Sequence, residues 1–276
     1  SLTSVTRDVG GFAVTVANGT ASHQISAPYL IAADGRGSNI ARQFGIQRFH
    51  DPVNHALIGL RIAGHGLQPD AAHEISLDPG YALLFPQQAD HARLYVVTTS
   101  EIADSLRGGD ANQAVIDLVS DRYPDGTVSS ARAAGPRGIY PNADSWSDAH
   151  QVPGLLLIGD AASSNDPTQG HGVSLVLRDV RELRDAVIAH GLTEMTLAGL
   201  QPRIMQYRQT MRIVCRWITT LRWSVGVEAD ARREQFQLAR ASDPDAGGYN
   251  MMVALGPRDL VPDADAERRY FDGGLS

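Results

Sequence analysis

The chain has 276 residues, a net charge of −7 and 43% hydrophobic residues, a composition typical of an ordinary globular protein and not of a disordered one. All 24 basic residues are arginine, and the acidic balance argues against a nucleic-acid partner, because phosphate backbones require clustered positive charge. No apolar run is long enough to span a membrane, and the single cysteine, Cys215, excludes an internal disulfide and is consistent with a cytoplasmic location.

The amino-terminal segment predicts antiparallel strands. Apolar residues alternate with polar ones around Gly10-Gly11, and Asn18-Gly19 follows, a dipeptide that favours a tight hairpin turn. We therefore expect a β-hairpin at the start of the chain. The alternating apolar residues are Val5, Phe12, Val14 and Val16.

A short apolar run from Tyr29 to Ala33 then ends at Asp34-Gly35. The run predicts a strand, and Ser38 has the position and chemistry of a helix N-cap. The carboxylate of Asp34 is therefore expected at the carboxyl end of a strand, where open α/β sheets bind their ligands. Taken alone, an Asp-Gly pair after a strand is equally typical of an ordinary turn.

Between Phe49 and Gly138 the pattern changes to alternating polar and apolar residues broken by turn residues. This pattern predicts an antiparallel sheet, with strands at about 56–62, 74–77, 81–85 and 93–98. A helix is predicted over about 113–122.

The most informative stretch of the sequence runs from Gly154 to Gly172. Leu155 to Ile158 predict a central strand covered on both faces, and Asp160 follows at its carboxyl end. An ionised carboxylate there accepts strong hydrogen bonds from two hydroxyls of a sugar or sugar alcohol. We therefore interpret Asp160 as an anchor for hydroxyl groups of a ligand.

The residues after Asp160 predict a turn with little side-chain cover. Pro167 has no amide to donate, and Gly170 and Gly172 have no side chains, so a flat ring can lie directly against this backbone. A helix is predicted from about Gly172 to His190, with its free amides and positive dipole end at the ring edge. Its predicted apolar face comprises Val173, Val176, Leu177, Val180, Leu183 and Val187.

The next part of the chain predicts a long helix from about Pro202. One face is apolar and is expected to dock on the preceding domain, while arginines off that face are expected to be solvated; a dimer contact is the alternative. Cys215 is expected to be a buried, unreactive thiol. The apolar positions are Ile204, Tyr207, Met211, Val214, Ile218, Leu221 and Val225, and the arginines are Arg203, Arg208, Arg212, Arg216 and Arg222.

Together the two acidic motifs resemble those of the single-component, aromatic-hydroxylase-like (group A) FAD-dependent monooxygenases. In that family the later motif runs Gly-Asp-Ala-Ala-His, then a proline, then Gly-x-Gly, and an Asp-Gly motif precedes it. Ser163 stands where the family usually has His, Ser174 where it often has Asn, and Arg42 one position after the usual arginine. The matching residues of the later motif are Gly159, Asp160, Ala161, Ala162, Pro167, Gly170 and Gly172.

This resemblance implies FAD as the cofactor and NAD(P)H as the electron donor. It assigns Asp160 to the ribityl chain and Asp34 to the pyrophosphate region. The flavin ring would lie on the glycine-containing turn and the first amides of the helix that follows. The residues assigned to the ring are Pro167, Gly170, Gly172, Val173 and Ser174.

The implied fold class is α/β (α+β): a partial FAD/NAD(P)-binding domain with an inserted antiparallel-sheet substrate domain and a C-terminal helical region. We expect residues 1–48 and 139–190 to form the FAD-binding domain, residues 49–138 the substrate domain and residues 191–276 the C-terminal region. The implied reaction is hydroxylation or epoxidation of an aromatic or polyketide-like small molecule with O2.

No residue is identified firmly as catalytic. Arg61 is a candidate for binding an anionic or phenolic substrate, Tyr81 for donating a hydrogen bond from the sheet, and His171 for acting within the flavin-facing turn. Ordinary sheet packing or a solvated strand face is the alternative for the first two, and solvent exposure for His171. The histidines show no pair with metal-ligand spacing near cysteine or acid, so no metal site is expected.

One motif that such a domain should contain does not occur. The 276 residues hold no Gly-x-Gly-x-x-Gly, the phosphate-binding signature of a dinucleotide domain, so we expect that an amino-terminal segment or a second chain supplies it. The alternatives are a related flavin reductase, dehydrogenase or halogenase, and a non-catalytic fragment or one half of a two-chain flavoprotein. The Trp-x-Trp-x-Ile-Pro signature of the halogenases is missing. The sequence indicates neither the oligomeric state nor the identity of the substrate.

Overall fold

A parallel strand pair and a larger antiparallel sheet organise the chain in its computed structural model, which describes residues 2–88, 90–108, 111–123, 126–148, 151–224, 226–242 and 261–270. The chain divides into two units. The first comprises residues 1–51, 144–218 and 231–276, and the second comprises residues 52–143 and 219–230. The region 191–276 is therefore divided between them.

The described residues form short strands and helices of very different lengths. In chain order the strands are β1 (Leu2–Asp8), β2 (Gly11–Asn18), β3 (Ala21–Ala27), β4 (Leu30–Ala32), β5 (Arg48–His50), β6 (His55–Ala63), β7 (His73–Leu77), β8 (Gly80–Gln88), β9 (His91–Thr99), β10 (Arg132–Ala133), β11 (Gly138–Asn142), β12 (Ser145–Ser147), β13 (Leu155–Leu157) and β14 (Ser163–Ser164). The helices are α1 (Asn39–Gln43), α2 (Ser100–Ser105), α3 (Asn112–Ser120), α4 (Gly172–His190), α5 (Glu194–Trp223), α6 (Val227–Ser242) and α7 (Ala264–Tyr270).

The first three strands form an antiparallel meander, which confirms the predicted hairpin. Gly11 has a φ of +127°, and a Cβ there would lie 2.3 Å from the carbonyl oxygen of Ala27. Only glycine tolerates this approach of two backbones. Val5 and Phe12 are buried and anchor the meander in the hydrophobic core of the first unit.

Strands β4 and β13 form a parallel pair, with Leu155 opposite Leu30 and Leu157 opposite Ala32. The three residues of β13 are buried, as expected for a strand covered on both faces. Parallel strands end at the same edge of a sheet, so the turn that follows β4 and the turn that follows β13 emerge there together. These turns carry the two acidic motifs of the sequence.

A small antiparallel sheet in the order β14-β12-β5 completes the strands of the first unit. Trp146 of β12 lies opposite Phe49 of β5 and, on its other side, opposite Ser163 of β14. The sheet therefore joins chain segments that precede and follow the second unit in sequence.

The second unit contains a six-stranded sheet in the order β10-β6-β9-β8-β7, with β11 also paired to β6. All of its pairs are antiparallel, which confirms the sheet predicted from alternation. One face packs on α2 and α3 through the alternate residues of the central strands. These buried residues are Ala56, Ile58, Leu60 and Ile62 in β6, and Ala92, Leu94 and Val96 in β9.

Helix α4 has the predicted bounds, but three residues of its predicted apolar face are exposed. Leu175 and Asp179 are buried, whereas Val173, Leu177 and Val180 are 74%, 61% and 46% exposed. The apolar pattern alone was therefore a wrong guide to the orientation of the helix. The buried face contains a carboxylate, and its polar contacts, described below, fix which side of α4 turns inward.

Helix α5 begins at Glu194, so its predicted start near Pro202 was wrong. Thr193 provides the earlier start, because its hydroxyl accepts a hydrogen bond from the amide of Thr196 (3.1 Å). Pro202 lies inside the helix, where it cannot donate to the carbonyl of Ala198. The side chain of Gln151 approaches that carbonyl instead, at 3.4 Å.

The predicted apolar face of α5 is buried from Ile204 to Leu221, and Val225 lies outside the described residues. Cys215 is buried as expected, and burial together with the carboxylates of Asp144 and Asp166 raises its pKa. Within the described part of the chain, no helix is both long and apolar enough to cross a membrane.

Candidate functional site

The candidate site begins where β13 ends. Asp160 lies in a 3₁₀ turn (Gly159–Ala161) directly after that strand, and its side chain is half-buried. Arg48 donates to its backbone oxygen (2.9 Å), but within the described residues no hydrogen bond reaches its carboxylate. Asp160 is therefore held by its backbone, and both carboxylate oxygens remain available to a ligand.

The turn itself is held by a buried carboxylate. Gly159 has a φ of +61°, and its amide donates to Oδ2 of Asp179 (2.7 Å). Asp179 is 0% exposed and also accepts hydrogen bonds from the hydroxyl of Tyr207 and from Nη2 of Arg208. One carboxylate thus ties the end of β13 to helices α4 and α5.

Arg208 is buried, and the prediction of a solvated side chain at this position was wrong. It is 2% exposed, its Nε lies 3.2 Å from Oδ1 of Asp179, and its Nη1 donates to the backbone oxygen of Ser163 (2.5 Å). A buried guanidinium requires a charged partner and filled donors, and both are present here. Burial and the bond to Asp179 also raise the pKa of Tyr207 far above its usual value.

Arg48 forms a second brace on the same turn. Its guanidinium donates to the backbone oxygens of Asp160 (2.9 Å) and Ala161 (3.1 Å). It also donates to the hydroxyl of Ser145 (2.7 Å) and lies 3.3 Å from that of Ser164. Burial lowers the pKa of Arg48, and the nearby charge of Asp160 opposes that shift. The small sheet is thereby fixed to the turn that carries Asp160.

The glycine-containing turn leaves its backbone open. Pro167 and Gly170 are exposed, and Gly170 has a φ of +71°. A Cβ at Gly170 or at Gly172 would meet no atom within 4 Å. Asp166 caps this turn, because its carboxylate accepts hydrogen bonds from the amide (2.9 Å) and the hydroxyl (2.7 Å) of Thr168. A flat ligand can therefore approach this backbone without displacing a side chain.

Helix α4 presents unpaired amides at the same place. His171 is its N-cap residue and provides no side-chain cap, and the first amide bonded back to His171 is that of Leu175 (3.0 Å). The amides of Gly172, Val173 and Ser174 have no acceptor among the described residues, and all three residues are exposed. These donors and the helix dipole favour negative charge on a bound group.

Asp144 lies under the turn that precedes Pro167. It is 5% exposed, and its Oδ1 accepts from the amide of Asp166 (2.5 Å). Its Oδ2 and the amide group of Asn165 are buried and have no hydrogen-bond partner among the described residues. Burial, with the negative charges of Asp166 and Asp51, raises the pKa of Asp144 to about 7, and Arg212 opposes this shift.

His171 is half-buried, and its Nε2 is shielded from solvent without a partner in the described residues. Burial lowers the pKa of the ring and so favours the neutral form of His171. A neutral imidazole at this position can donate or accept one proton. Its role in a reaction stays a prediction.

Asp34 is exposed and forms the start of helix α1. Its Oδ2 accepts from the amides of Asn39 (2.8 Å) and Ile40 (3.2 Å), and Ser38 caps the same helix through the amide of Ala41 (3.0 Å). The predicted cap is therefore confirmed. The assignment of Asp34 to the pyrophosphate region stays a prediction.

The two candidate substrate residues lie on the sheet of the second unit. Arg61 is half-buried and its Nε has no partner among the described residues. Tyr81 is 9% exposed, and the guanidinium of Arg222 lies 5.0 Å from the centre of its ring. The described residues contain no group of three or more His, Cys, Asp or Glu side chains arranged to hold a metal ion.

The sequence interpretation missed four residues that hold the site: Arg48, Asp144, Asp179 and Arg208. Asp179 carried a usable signal, because it lies four residues after Leu175, on the buried side of α4. Arg208 follows the buried Tyr207 and so lies beside the apolar face of α5. An aspartate and an arginine on the inward sides of two successive helices are a recognisable pattern for a buried ion pair.

Residues 1–196 match the model of a family described as an FAD binding domain. The chain belongs to this family of FAD-binding domains. FAD as the cofactor, expected from the two motifs, is thereby confirmed at the level of the family. The open backbone, the free amides and the available carboxylate of Asp160 are the groups that such a cofactor requires.

A curated relative, squalene epoxidase 3 of Arabidopsis thaliana, is 28% identical over 164 residues, which are 58% of this chain and 31% of the epoxidase. The chain therefore spans about a third of the length of this relative. Two solved structures share the fold. The flavin-dependent halogenase CmlS has a TM-score of 0.66 at 17% identity, covering 96% of this chain and 52% of CmlS. Aklavinone-11 hydroxylase, solved with FAD and aklavinone, has a TM-score of 0.65 at 15% identity, covering 80% of this chain and 43% of the hydroxylase.

Replacing Asp179 with Asn should destabilise the protein strongly. The amide keeps the shape of the carboxylate but leaves the buried charge of Arg208 unpaired, which costs about 3–5 kcal/mol. Asp179→Asn and the matched control Asp185→Asn, an exposed position on α4, would be compared by urea unfolding. The control should lose less than about 1 kcal/mol, and equal effects in the two variants would contradict the assigned role.

Replacing Asp144 with Asn should reduce the pH dependence of stability. A carboxyl whose pKa is about 7 in the folded protein, above its value in the unfolded chain, stabilises the fold at low pH and loses that contribution as pH rises from about 4 to 7. The loss has an upper bound of about 4 kcal/mol. Urea unfolding at pH 5 and pH 8 should show a smaller difference for Asp144→Asn than for the natural chain, and identical differences would refute the assignment.

Proposed function

We propose that the chain is the flavin-carrying part of an FAD-dependent monooxygenase that uses NAD(P)H and O2 on an aromatic or polyketide-like small molecule. The observation that carries the proposal is the convergence at one sheet edge of an available carboxylate, Asp160, and an open turn that leads into the unpaired amides of α4. A flavin ring requires a flat surface and amides that bind an anion, and its ribityl chain requires an acceptor for its hydroxyl groups.

Bound FAD would supply the redox chemistry, taking electrons from NAD(P)H and passing them to O2. The protein contributes position and electrostatics. Asp160 accepts hydrogen bonds from ribityl hydroxyls, and the amides of Gly172, Val173 and Ser174 stabilise negative charge on the ring edge. Pro167 and Gly170 leave the ring in contact with backbone, and Asp34 supports the pyrophosphate side through the start of α1.

The face of the sheet in the second unit that turns away from α2 and α3 supports an aromatic substrate. Gly59 lies opposite Gly138 on one side and Tyr95 on the other. The ring of Tyr95 lies over Gly59, because a Cβ there would be 3.3 Å from Cε1 of Tyr95. Tyr140 covers Gly138 in the same way and is 53% exposed. The glycines let the two tyrosine rings lie close to the sheet, and a planar molecule can stack on such rings.

Two arginines on this face support an acidic group on the substrate. Arg61 and Arg93 are direct cross-strand partners, and like charges in this position destabilise a sheet. Among the described residues neither arginine pairs with a carboxylate; Arg93 lies near the hydroxyl of Tyr95 (3.3 Å). A carboxylate or phenolate between them would remove the repulsion, so Arg61 is proposed as a substrate-binding residue. Tyr81, in the neighbouring strand, is proposed to contact the substrate from the same face.

A flavin-dependent halogenase is the second candidate, because CmlS shares the fold. The missing Trp-x-Trp-x-Ile-Pro sequence argues against it. A cytoplasmic location and the lack of nucleic-acid partners belong to the main proposal. The single cysteine supports the first, and the net charge of −7 supports the second.

The Asp160→Ala variant tests the flavin site. Loss of a charge-assisted acceptor should weaken FAD binding by about 10–100-fold, measured by the quenching of flavin fluorescence on titration. Because the chain spans about a third of its curated relative, the titration should be made both with this chain and with any longer natural protein that contains it. Asp185→Ala is the matched control and should bind like the unchanged chain. An absence of flavin bands from the visible spectra of all samples would reject the flavoprotein proposal.

The Arg61→Gln variant tests the substrate face. If Arg61 binds a ligand and does not stabilise the fold, removing its repulsion with Arg93 should raise the free energy of unfolding by about 0.2–1 kcal/mol at low salt. The gain should be smaller in 1 M salt, because salt screens the repulsion. Arg132→Gln, an exposed position on β10 of the same sheet, is the control. A loss of stability in Arg61→Gln would assign the arginine to the fold.

A further inference from the structure

A cavity of about 360 Å³ opens on the first unit beside the small sheet, between β5, β12 and α5. Its walls include Phe49, Trp146, Asp148, Arg208 and Arg212. None of the residues assigned above to FAD lines it. Its volume lies in the usual range of small-molecule sites, so the cavity is large enough to hold a second ligand.

One wall of the cavity is flat and aromatic. Phe49 and Trp146 are cross-strand partners, and their rings stack with centroids 6.0 Å apart and an interplanar angle of 28°. Phe49 is 43% exposed. An exposed phenylalanine beside a tryptophan in a concave surface favours a planar, apolar ligand, because burying these rings gains hydrophobic free energy.

Arg212 adds a positive charge with unfilled donors. Its guanidinium lies 3.8 Å from the centre of the Trp146 ring, and its side chain is 19% exposed. Its nearest carboxylate oxygen among the described residues, on Asp51, lies 3.8 Å away, beyond hydrogen-bonding distance. A guanidinium has five donors, and those of Arg212 form no hydrogen bond within the described residues.

The other charges around the cavity determine which kind of anion can bind there. Arg208 is already paired with Asp179 and bonded to the backbone of Ser163, so its charge is already neutralised. Asp148 contributes a carboxylate to the wall and disfavours a ligand with several negative charges. The cavity therefore suits a ligand with one negative charge and not a nucleotide or a free phosphate.

We infer that this cavity is a binding site for a planar aromatic compound carrying a single acidic group, with the rings against Phe49 and Trp146 and the acid on Arg212. A bidentate contact between a guanidinium and a carboxylate supplies both strength and direction. The inference does not depend on the flavin site, because the residues that carry it lie outside that site and the test below requires no flavin.

The test is calorimetric titration of the purified chain with naphthalene-2-carboxylate and with its neutral amide, naphthalene-2-carboxamide. The carboxylate should bind to one site at least about tenfold more tightly than the amide, the difference expected for one charge-assisted contact. Equal affinities of the two compounds, or no binding of the carboxylate at millimolar concentration, would overturn the inference.

Variants locate the binding. Arg212→Gln should weaken binding of the carboxylate about tenfold and leave the amide unaffected, whereas Phe49→Ala should weaken both compounds. Arg216→Gln, an exposed position one turn along α5, is the matched control and should bind normally. Circular dichroism checks that the variants are folded.

Arg61→Gln separates this cavity from the proposed substrate face, because it removes the arginine of that face and leaves Arg212 in place. A loss of binding in that variant instead of in Arg212→Gln would place the compound on the sheet of the second unit and refute this site. That result would still leave the proposed monooxygenase function standing, so the two proposals fail separately.

Discussion

The buried carboxylate of Asp179 is the contact on which the candidate flavin site depends. It holds the amide of Gly159 at 2.7 Å and neutralises Arg208, whose own Nη1 reaches the backbone of Ser163. A buried ion pair contributes little net stability compared with apolar side chains of the same size, but it is costly to break. Its effect here is geometric: a strand end, two helices and the turn of Asp160 are fixed to one another at a single point.

The groups that this framework presents belong mainly to the backbone. Pro167 and Gly170, at the two ends of the open turn, are exposed, and the next donors are the amides at the start of α4. Ser163, which stands where the resembled family usually has His, contributes its backbone oxygen to the contact with Arg208. Asp160 is the exception, since its proposed contact with hydroxyl groups is made by a side-chain carboxylate.

The sequence predicted the elements that depend on local pattern and missed those that depend on tertiary contact. Helix α4 was predicted with its bounds, because glycine and periodicity mark them, and the antiparallel sheet followed from alternation. The inward face of α4 was predicted wrongly, since the exposed Val173 and Leu177 are more apolar than the buried Asp179. The ion pair between Asp179 and Arg208, 29 residues apart, can be recognised only once the inward sides of α4 and α5 are known. The early start of α5 depends on the side-chain cap by Thr193 and on Gln151.

The contact between Gly159 and Asp179 also sets a length. The two residues are 20 positions apart, and each residue inserted into α4 before Asp179 would rotate its carboxylate by about 100° around the helix axis. The part of α4 from Gly172 to Asp179 therefore tolerates no insertion or deletion. The turn between β2 and β3, where a Cβ on Gly19 would meet nothing within 4 Å, is under no such constraint, so variation in chain length should accumulate there and not in this part of α4.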